Sequence, residues 1–153
     1  MVGNYCWGCG PDNPAGLHLK SYWDGDVAVA QWSPGHEFAA GPRHVLNGGI
    51  IATLLDCHGI CTAVAAAYRR EDRPVGTEPE IWYATGSISV DYLRPTPIDG
   101  VVQLSARLVT QEARVTGVEC VLDAAGKERA RASLRAVRVG DDWRHGTTGP
   151  PGR

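Results

Sequence analysis

Residues 44–68 decide the fold, and they read HVLNGGIIATLLDCHGICTAVAAAY. From Gly48 onward, isoleucine, leucine and valine are distributed around the helical cylinder, and alanines fill the gaps. At a rise of 1.5 Å per residue, a helix that ends near Tyr68 spans roughly 30 Å. Because any exposed face would leave an apolar stripe in water, a helix that is apolar on nearly every side must be enclosed. The sequence therefore predicts a long helix surrounded by the rest of the chain.

Four runs after this helix alternate polar and apolar residues with a period of two. In the first run Ile88, Val90 and Tyr92 share one face, and in the last run alanines and Leu134 oppose arginines and serines. Such alternation is typical of an antiparallel sheet in which each strand has one buried face. The predicted strands cover 85–94, 101–110, 114–122 and 128–138.

Two shorter β-prone runs, 17–23 and 27–32, precede the helix and predict a hairpin around Asp24-Gly25-Asp26. Residues 33–47 lack periodicity and predict a long loop, a feature that is often functional in compact domains. This order predicts an α+β fold, a curved antiparallel β-sheet wrapped around one long central helix.

The length of 153 residues fits one domain, for which we expect the bounds 1–139. Residues 1–16 are dense in turn-forming residues and predict an irregular lead-in. In residues 140–153 glycine, proline and charge replace apolar spacing, so this tail is predicted to be disordered.

Composition excludes several classes of protein. Fifteen Lys and Arg against seventeen Asp and Glu leave a net charge of -2, so nucleic acid is not an expected partner. No apolar run approaches the roughly 20 residues of a membrane span, and we expect a soluble protein. The start MVGNYCWGCG lacks the pattern of a secretory signal, so we expect the cytoplasm.

Asp56 is the most informative candidate for chemistry. It lies between Leu55 and Cys57 in the apolar helix, too far from the helix start to be a cap. No cation stands three or four residues away to pair with it. A serine, an arginine or a partner subunit could satisfy the carboxylate, but an unpaired carboxylate at that depth is costly and points to function.

Gly48-Gly49 supplies a second half of a possible site. Amides at a helix N-terminus have no intrahelical partner, and without a Cβ they can approach an incoming oxygen and stabilise negative charge there. The alternative is an ordinary tight turn into the helix. The step from Gly49 to Asp56 is about two turns, so the carboxylate returns to the same face roughly 10 Å along the axis.

Three motifs carry a resemblance to a known family. HVLNGGIIATLLDCHG resembles the signature helix of hotdog-fold acyl-CoA thioesterases of the PaaI-like type, in which an acidic residue follows Gly-Gly after six residues. TGSISVDYLRPTP is similar to the long strand of that family, and CWGCGPDNPAGLHL is similar to its CxxCG…NPxGLxL opening. The resemblance implies a hotdog fold and thioesterase activity.

The resemblance also implies roles for individual residues. Gly48 would donate its N–H to the thioester oxygen, Gly49 would help bind the substrate, and Asp56 would be the general base or nucleophile. Thr85 matches a partner-subunit Ser or Thr that places water or the carboxylate, although alone it would be an ordinary strand residue. The family usually has His before Gly-Gly, whereas this chain has Asn47, with His44 three residues earlier. Either could orient the carbonyl.

Further expectations concern the substrate and assembly. The acyl-CoA substrate carries its own coenzyme A, and no metal or bound cofactor is expected. Trp82 and Tyr83, in a predicted loop before the strand, could line an acyl tunnel or be core aromatics. Arg94 could meet coenzyme A phosphates or be solvated. The family implies a homodimer or homotetramer with the site at a subunit interface.

The cysteines and His58 are interpreted as structural. Cys57 and Cys61 fall in the apolar helix, where thiols act as small hydrophobes, and reduced thiols are expected. Cys6 and Cys9 suggest zinc, but a four-ligand site needs a second pair, and adjacent Cys57 and His58 would point in different directions. His58 is predicted to be a hydrogen-bonded core or interface residue.

The sequence leaves two other activities open. The same fold supports dehydratases acting on hydroxyacyl thioesters, which need a histidine to abstract a proton, and His44 or His36 could serve. The fold also supports a non-catalytic acyl-thioester-binding protein. Hydration of an enoyl thioester would identify a dehydratase. Binding of an acyl thioester without turnover would identify a non-catalytic binding protein.

Overall fold

The structure, a computed structural model, describes residues 3–146. One long helix packs against a six-stranded antiparallel sheet, and a short 3-10 helix, His36–Phe38, lies in the loop that precedes the long helix. The strands and helices in chain order are β1 Ser21–Asp24, β2 Val27–Trp32, α1 Gly48–Arg70, β3 Trp82–Tyr92, β4 Val102–Gln111, β5 Val115–Ala124, β6 Lys127–Val139 and α2 Asp141–Arg144.

The sheet has the strand order β1-β2-β4-β5-β6-β3, so β3 crosses over to lie beside the last strand of the chain. β4, β5 and β6 follow one another as antiparallel neighbours, which short turns allow. β3 pairs with β6 alone and forms one edge of the sheet, and β1 forms the other. The predicted hotdog architecture is confirmed, with α1 packed across β3, β4, β5 and β6.

The interface between helix and sheet depends on small residues. Ala63, Ala67 and the sheet residues Ala132 and Ala136 are all buried in one hydrophobic core. Gly59 allows the closest approach, because a Cβ at this position would lie 2.6 Å from Leu134 Cδ2. The alternating alanines of the last strand therefore have the predicted role of letting the helix approach the sheet.

β3 departs from the prediction that each strand has one buried face. Ile88 is 37% exposed and Tyr92 is 54% exposed, although both belong to the face that was expected to be buried. The reason is the position of β3 at the sheet edge, where it has a neighbour on one side only. The second half of β3 therefore exposes apolar side chains to solvent when the chain is alone.

Other element predictions differ mainly at their ends. The first predicted strand, 17–23, is regular only over Ser21–Asp24. Its earlier part is held by single backbone bonds, from Leu17 N–H to Trp7 O and from Leu19 N–H to Gly8 O. Trp82 and Tyr83 lie in β3 rather than in a loop, because β6 is long enough to pair with them at Val139 and Arg138.

The beginning of the predicted disordered tail has regular structure. Asp141–Arg144 forms one helical turn, and Arg144 pairs with Glu80 and lies over the Trp82 ring at 5.2 Å. These contacts tie the turn to the start of β3. Residues 147–153 of the predicted tail lie outside the described residues.

Within the described residues, Gly48–Arg70 is long and apolar enough to cross a membrane by length and composition. This differs from the composition-based expectation that no segment approaches a span. Most of the helix is buried by the sheet, as in the core helix of a soluble protein.

Candidate functional site

Asp56 and Thr85 form the centre of the candidate site. Asp56 lies on the half-buried side of α1 and Thr85 lies on β3, and Thr85 Oγ1 donates a 2.7 Å hydrogen bond to Asp56 Oδ1. The contact forms within one chain, whereas the resemblance implies a threonine from the partner subunit. It forms because β3 packs against the helix. No Lys, Arg or His within residues 3–146 forms an ion pair with Asp56.

The surroundings of Asp56 weaken its acidity. Burial raises the pKa of this carboxyl, the hydrogen bond from Thr85 partly offsets the rise, and the nearby Cys6 adds to it. Burial raises the pKa because a carboxylate loses hydration when water is removed around it. A carboxylate whose pKa is shifted upward and which has no cationic partner is better suited to accept a proton than an ordinary surface aspartate.

The N-terminus of α1 supplies the second part of the site. Asn47 is the N-cap, and its Oδ1 accepts a 2.7 Å hydrogen bond from the Gly49 N–H. This leaves the Gly48 N–H, which donates to no group of residues 3–146. The cap also occupies the amide oxygen of Asn47, so its NH₂ remains the group that could meet a carbonyl.

Tyr92 is a contact that the sequence did not predict. Its hydroxyl donates a 2.8 Å hydrogen bond to the Gly48 carbonyl, and its ring lies 3.4 Å from the position that a Cβ on Gly48 would take. β3 therefore supplies Thr85 at the carboxylate and Tyr92 at the helix N-terminus. The aromatic residue that ends the strand motif was the available signal.

A thioesterase superfamily protein from Shewanella loihica has a similar structure, with 34% identity, a TM-score of 0.65, and coverage of 80% of this chain and 91% of that chain. The chain belongs to the thioesterase superfamily. Thioester hydrolysis is thereby supported at the level of the family. No protein-family model and no curated protein matches the sequence.

Two more distant structures share the hotdog fold of this thioesterase-superfamily chain. The Escherichia coli PaaI protein from the phenylacetic acid degradation operon is 15% identical, with a TM-score of 0.65 over 81% of each chain. A Streptococcus mutans protein bound to acetyl-CoA is 14% identical, with a TM-score of 0.64 over 80% of this chain and 89% of that chain.

Two histidines of the loop stand apart from the candidate site. His44 is exposed, and its backbone carbonyl accepts a 3.0 Å hydrogen bond from the Ile98 N–H. His36 lies 3.6 Å from Asp99, and both side chains are 80% exposed. Among residues 3–146 neither imidazole hydrogen-bonds to Asp56. Asn47, next to Gly48, is therefore better placed than His44 to orient a carbonyl.

The candidate substrate-binding residues have mixed surroundings in this thioesterase-superfamily chain. Tyr83 is buried in the core, and the half-buried Trp82 donates its Nε1–H to Glu80. Arg94 is exposed and donates to the Glu128 carbonyl at 2.9 Å. The structure therefore brings Tyr83 into the core, while Trp82 and Arg94 keep part of their surface free.

Two clefts of the thioesterase-superfamily chain lie away from the candidate site. One, of about 520 Å³, is lined by Trp23 and Arg69 among others, and one of about 660 Å³ by Tyr22 and Gln31 among others. Neither includes Asp56. These clefts are therefore not where this carboxylate acts.

His58 has the predicted structural role. It is fully buried, its Nδ1 lies 2.8 Å from Ser21 Oγ, and its Nε2 lies 3.1 Å from the Ala28 carbonyl. Burial lowers the pKa of this imidazole to about 4. Because a neutral imidazole needs one donor and one acceptor, these two partners satisfy it, and it anchors α1 to the β1–β2 hairpin.

The cysteines are gathered in a way that the sequence interpretation missed. The sulfur atoms of Cys6, Cys9 and Cys57 all lie within 4.8 Å of one another, so they could hold a metal ion. Cys61 follows Cys57 by four residues and therefore lies on the same face of α1. The spacings CxxC and CxxxC were the available signal.

Proposed function

We propose that the protein hydrolyses acyl-CoA thioesters to a free acid and coenzyme A. The observation that carries the proposal is the Asp56 carboxylate, which Thr85 holds and no cation neutralises within residues 3–146, on the same helix whose N-terminus presents a free Gly48 N–H. The family assignment and the acetyl-CoA bound by the Streptococcus mutans relative support the substrate class.

In the proposed reaction the thioester oxygen accepts a hydrogen bond from the Gly48 N–H, where the helix dipole also favours negative charge. Asp56 removes a proton from water, which attacks the carbonyl carbon; alternatively Asp56 attacks that carbon directly and forms an anhydride, which water then hydrolyses to the free acid and the restored carboxylate. The C–S bond then breaks and the electron pair leaves on the coenzyme A sulfur. Thr85 is a positioning residue, because it orients the carboxylate through a hydrogen bond. Asn47 would hold the carbonyl through its NH₂.

The substrate and assembly form the second part of the proposal. Exposed apolar residues along β3, including Ile88 and Tyr92, favour a second subunit against this edge. A second subunit would enclose the candidate site, which borders the same strand. Trp82 would then contribute to the acyl pocket, and Arg94 would meet coenzyme A phosphates. The chemistry requires no resident metal or cofactor.

Asp56→Asn tests the proposal. In a thiol-release assay across a panel of acyl-CoA substrates, we expect this variant to keep its fold and to lose on the order of 10²-fold or more in kcat/KM, as when a general base is removed. Glu119→Gln is the matched control, because Glu119 is an exposed carboxylate on β5. Thr85→Val should lower kcat more than it raises KM, and Thr85→Ser should restore it. Turnover of Asp56→Asn at the wild-type rate would refute the proposal.

A further inference from the structure

The N-terminal segment has few regular contacts to hold it against α1. Residues 3–20 contain no helix or strand, yet Cys6-Trp7-Gly8-Cys9 is pressed against the middle of the helix. A Cβ on Gly8 would lie 2.2 Å from Cys57 Sγ, so only glycine allows this approach. The loop therefore contacts the helix directly at Cys57.

Three thiols converge at this contact, and a fourth, Cys61, lies one helical turn beyond Cys57. Cys6 Sγ lies 3.6 Å from Cys57 Sγ, and Cys9 completes a set of three sulfurs that all lie within 4.8 Å of one another. Cys61 shares one face of α1 with Cys57, and its side chain hydrogen-bonds with the Cys9 thiol. The cluster thus contains two pairs, CxxC from the loop and CxxxC from one face of the helix.

The separations among Cys6, Cys9 and Cys57 suit three corners of a tetrahedral metal site. Zinc binds thiolates at about 2.3 Å, which places the sulfurs of a regular tetrahedron roughly 3.8 Å apart. A disulfide would require the two sulfurs to close to about 2.05 Å. Four sulfur ligands in tetrahedral geometry select zinc or iron–sulfur chemistry over magnesium and calcium, which prefer oxygen.

The surroundings of the cluster also suit metal-bound thiolates. Asn4 Nδ2 donates toward Cys9 Sγ at 3.9 Å, and Asn4 Oδ1 accepts from the Cys6 N–H at 3.0 Å. The Gly10 N–H donates to the Cys6 carbonyl at 2.8 Å and closes the loop between the two cysteines. Outer contacts of this kind orient metal ligands and temper their charge.

We propose that Cys6, Cys9, Cys57 and Cys61 bind one structural zinc ion that fastens the N-terminal segment to the central helix. Binding releases the thiol protons to solvent, and no electron transfer is involved. All four positions are occupied by protein ligands, so the site is structural rather than catalytic. The zinc site is distinct from the proposed thioesterase site. Because Cys57 adjoins Asp56, loss of zinc would nevertheless disturb the helix at both sites.

Metal content of the whole chain tests this proposal. The protein is purified under reducing conditions from zinc-supplemented medium and measured by inductively coupled plasma mass spectrometry. We expect about one zinc per chain in the wild type and a loss of at least tenfold in the Cys9→Ala and Cys57→Ala variants. Cys120→Ala, which removes a buried cysteine outside the cluster, should retain the zinc.

A second measurement keeps the test valid if a variant fails to fold. Replacement of zinc by cobalt in the wild-type protein should produce sulfur-to-cobalt charge-transfer bands and the visible bands of a tetrahedral ion, and Cys61→Ala should change them. Zinc below a tenth of an ion per chain, an iron centre, or a Cys6–Cys57 disulfide in the reduced preparation would each overturn the proposal. These results do not depend on thioesterase activity.

Discussion

At the residue scale, Asp56 shows what a sequence can reveal about a site. An aspartate between Leu55 and Cys57 in an apolar helix contradicts local preference, and such a contradiction is visible without a structure. The resemblance implied Thr85 of a partner subunit near this carboxylate, whereas in the structure Thr85 of the same chain lies 2.7 Å from Asp56. The capping bond of Asn47 to the Gly49 N–H was not predicted, because it depends on one side-chain torsion.

His58 allows a prediction about pH and stability. Its pKa is about 4 in the folded chain, against a usual value of about 6.5, so the unfolded chain binds more protons between these values. The contribution of His58 to the free energy of unfolding should therefore be fully present above about pH 6.5. This contribution, on the order of 3 kcal/mol, should be lost as the pH drops toward 4.

Urea unfolding followed by circular dichroism at several pH values between 7 and 4 measures this effect. His58→Gln is the comparison, because an amide can donate to the Ala28 carbonyl and accept from Ser21 without titrating. Its unfolding free energy should depend less on pH than that of the wild type. If the unfolding free energy changes equally with pH in both proteins, His58 is not the group that causes the pH dependence.

At the scale of elements, the packing of α1 depends on a missing side chain. By helix propensity alone, Gly59→Ala should stabilise α1 by about 1 kcal/mol. The added Cβ, however, would lie 2.6 Å from Leu134 Cδ2 and 3.2 Å from Cys120 Sγ. Overpacking in a core costs typically about 1–3 kcal/mol. We expect a net loss of up to about 2 kcal/mol in the free energy of unfolding.

Thermal and urea unfolding of Gly59→Ala measure this loss. Leu134→Val removes Cδ2, so the double variant should recover part of the stability relative to the sum of the two single changes. Strict additivity of the two changes, or a stabilised Gly59→Ala, would contradict the inferred close approach of helix and sheet.

The elements also differ in how far their patterns predicted them. α1 and the strands β4, β5 and β6 follow clear periodicities, and the structure changes only their ends. The burial of β3 was mispredicted, since a period-two pattern indicates that a face is apolar but does not indicate what covers it. The helical turn Asp141–Arg144 escaped prediction because it depends on a contact with Glu80, some 60 residues earlier.

At the scale of the whole molecule, the exposed edge at β3 predicts self-association. Ile88 and Tyr92 place apolar surface on a strand with a free edge, a combination that soluble monomers avoid. We expect a dimer or tetramer by size-exclusion chromatography with light scattering. Ile88→Lys should shift the mass toward the monomer and lower thioesterase activity with it.

Val109→Lys is the matched control for this change. Val109 is 57% exposed on β4, so the same charge enters another exposed apolar position away from the β3 edge. It should leave the molecular mass unchanged. A monomeric wild type, or equal effects of the two substitutions, would contradict assembly through β3.

The sequence alone determined the central helix and the alternating strands that cover it, and it singled out Asp56 and Gly48-Gly49 as candidates, because each depends on neighbours within a few turns of the chain. The tertiary structure decided which distant residues meet. It brought Thr85 and Tyr92 of β3 to the helix, and it brought Cys6 and Cys9 to Cys57, a separation of about 50 residues. Contacts of this kind depend on strand order and loop path, and no periodicity of the chain encodes them.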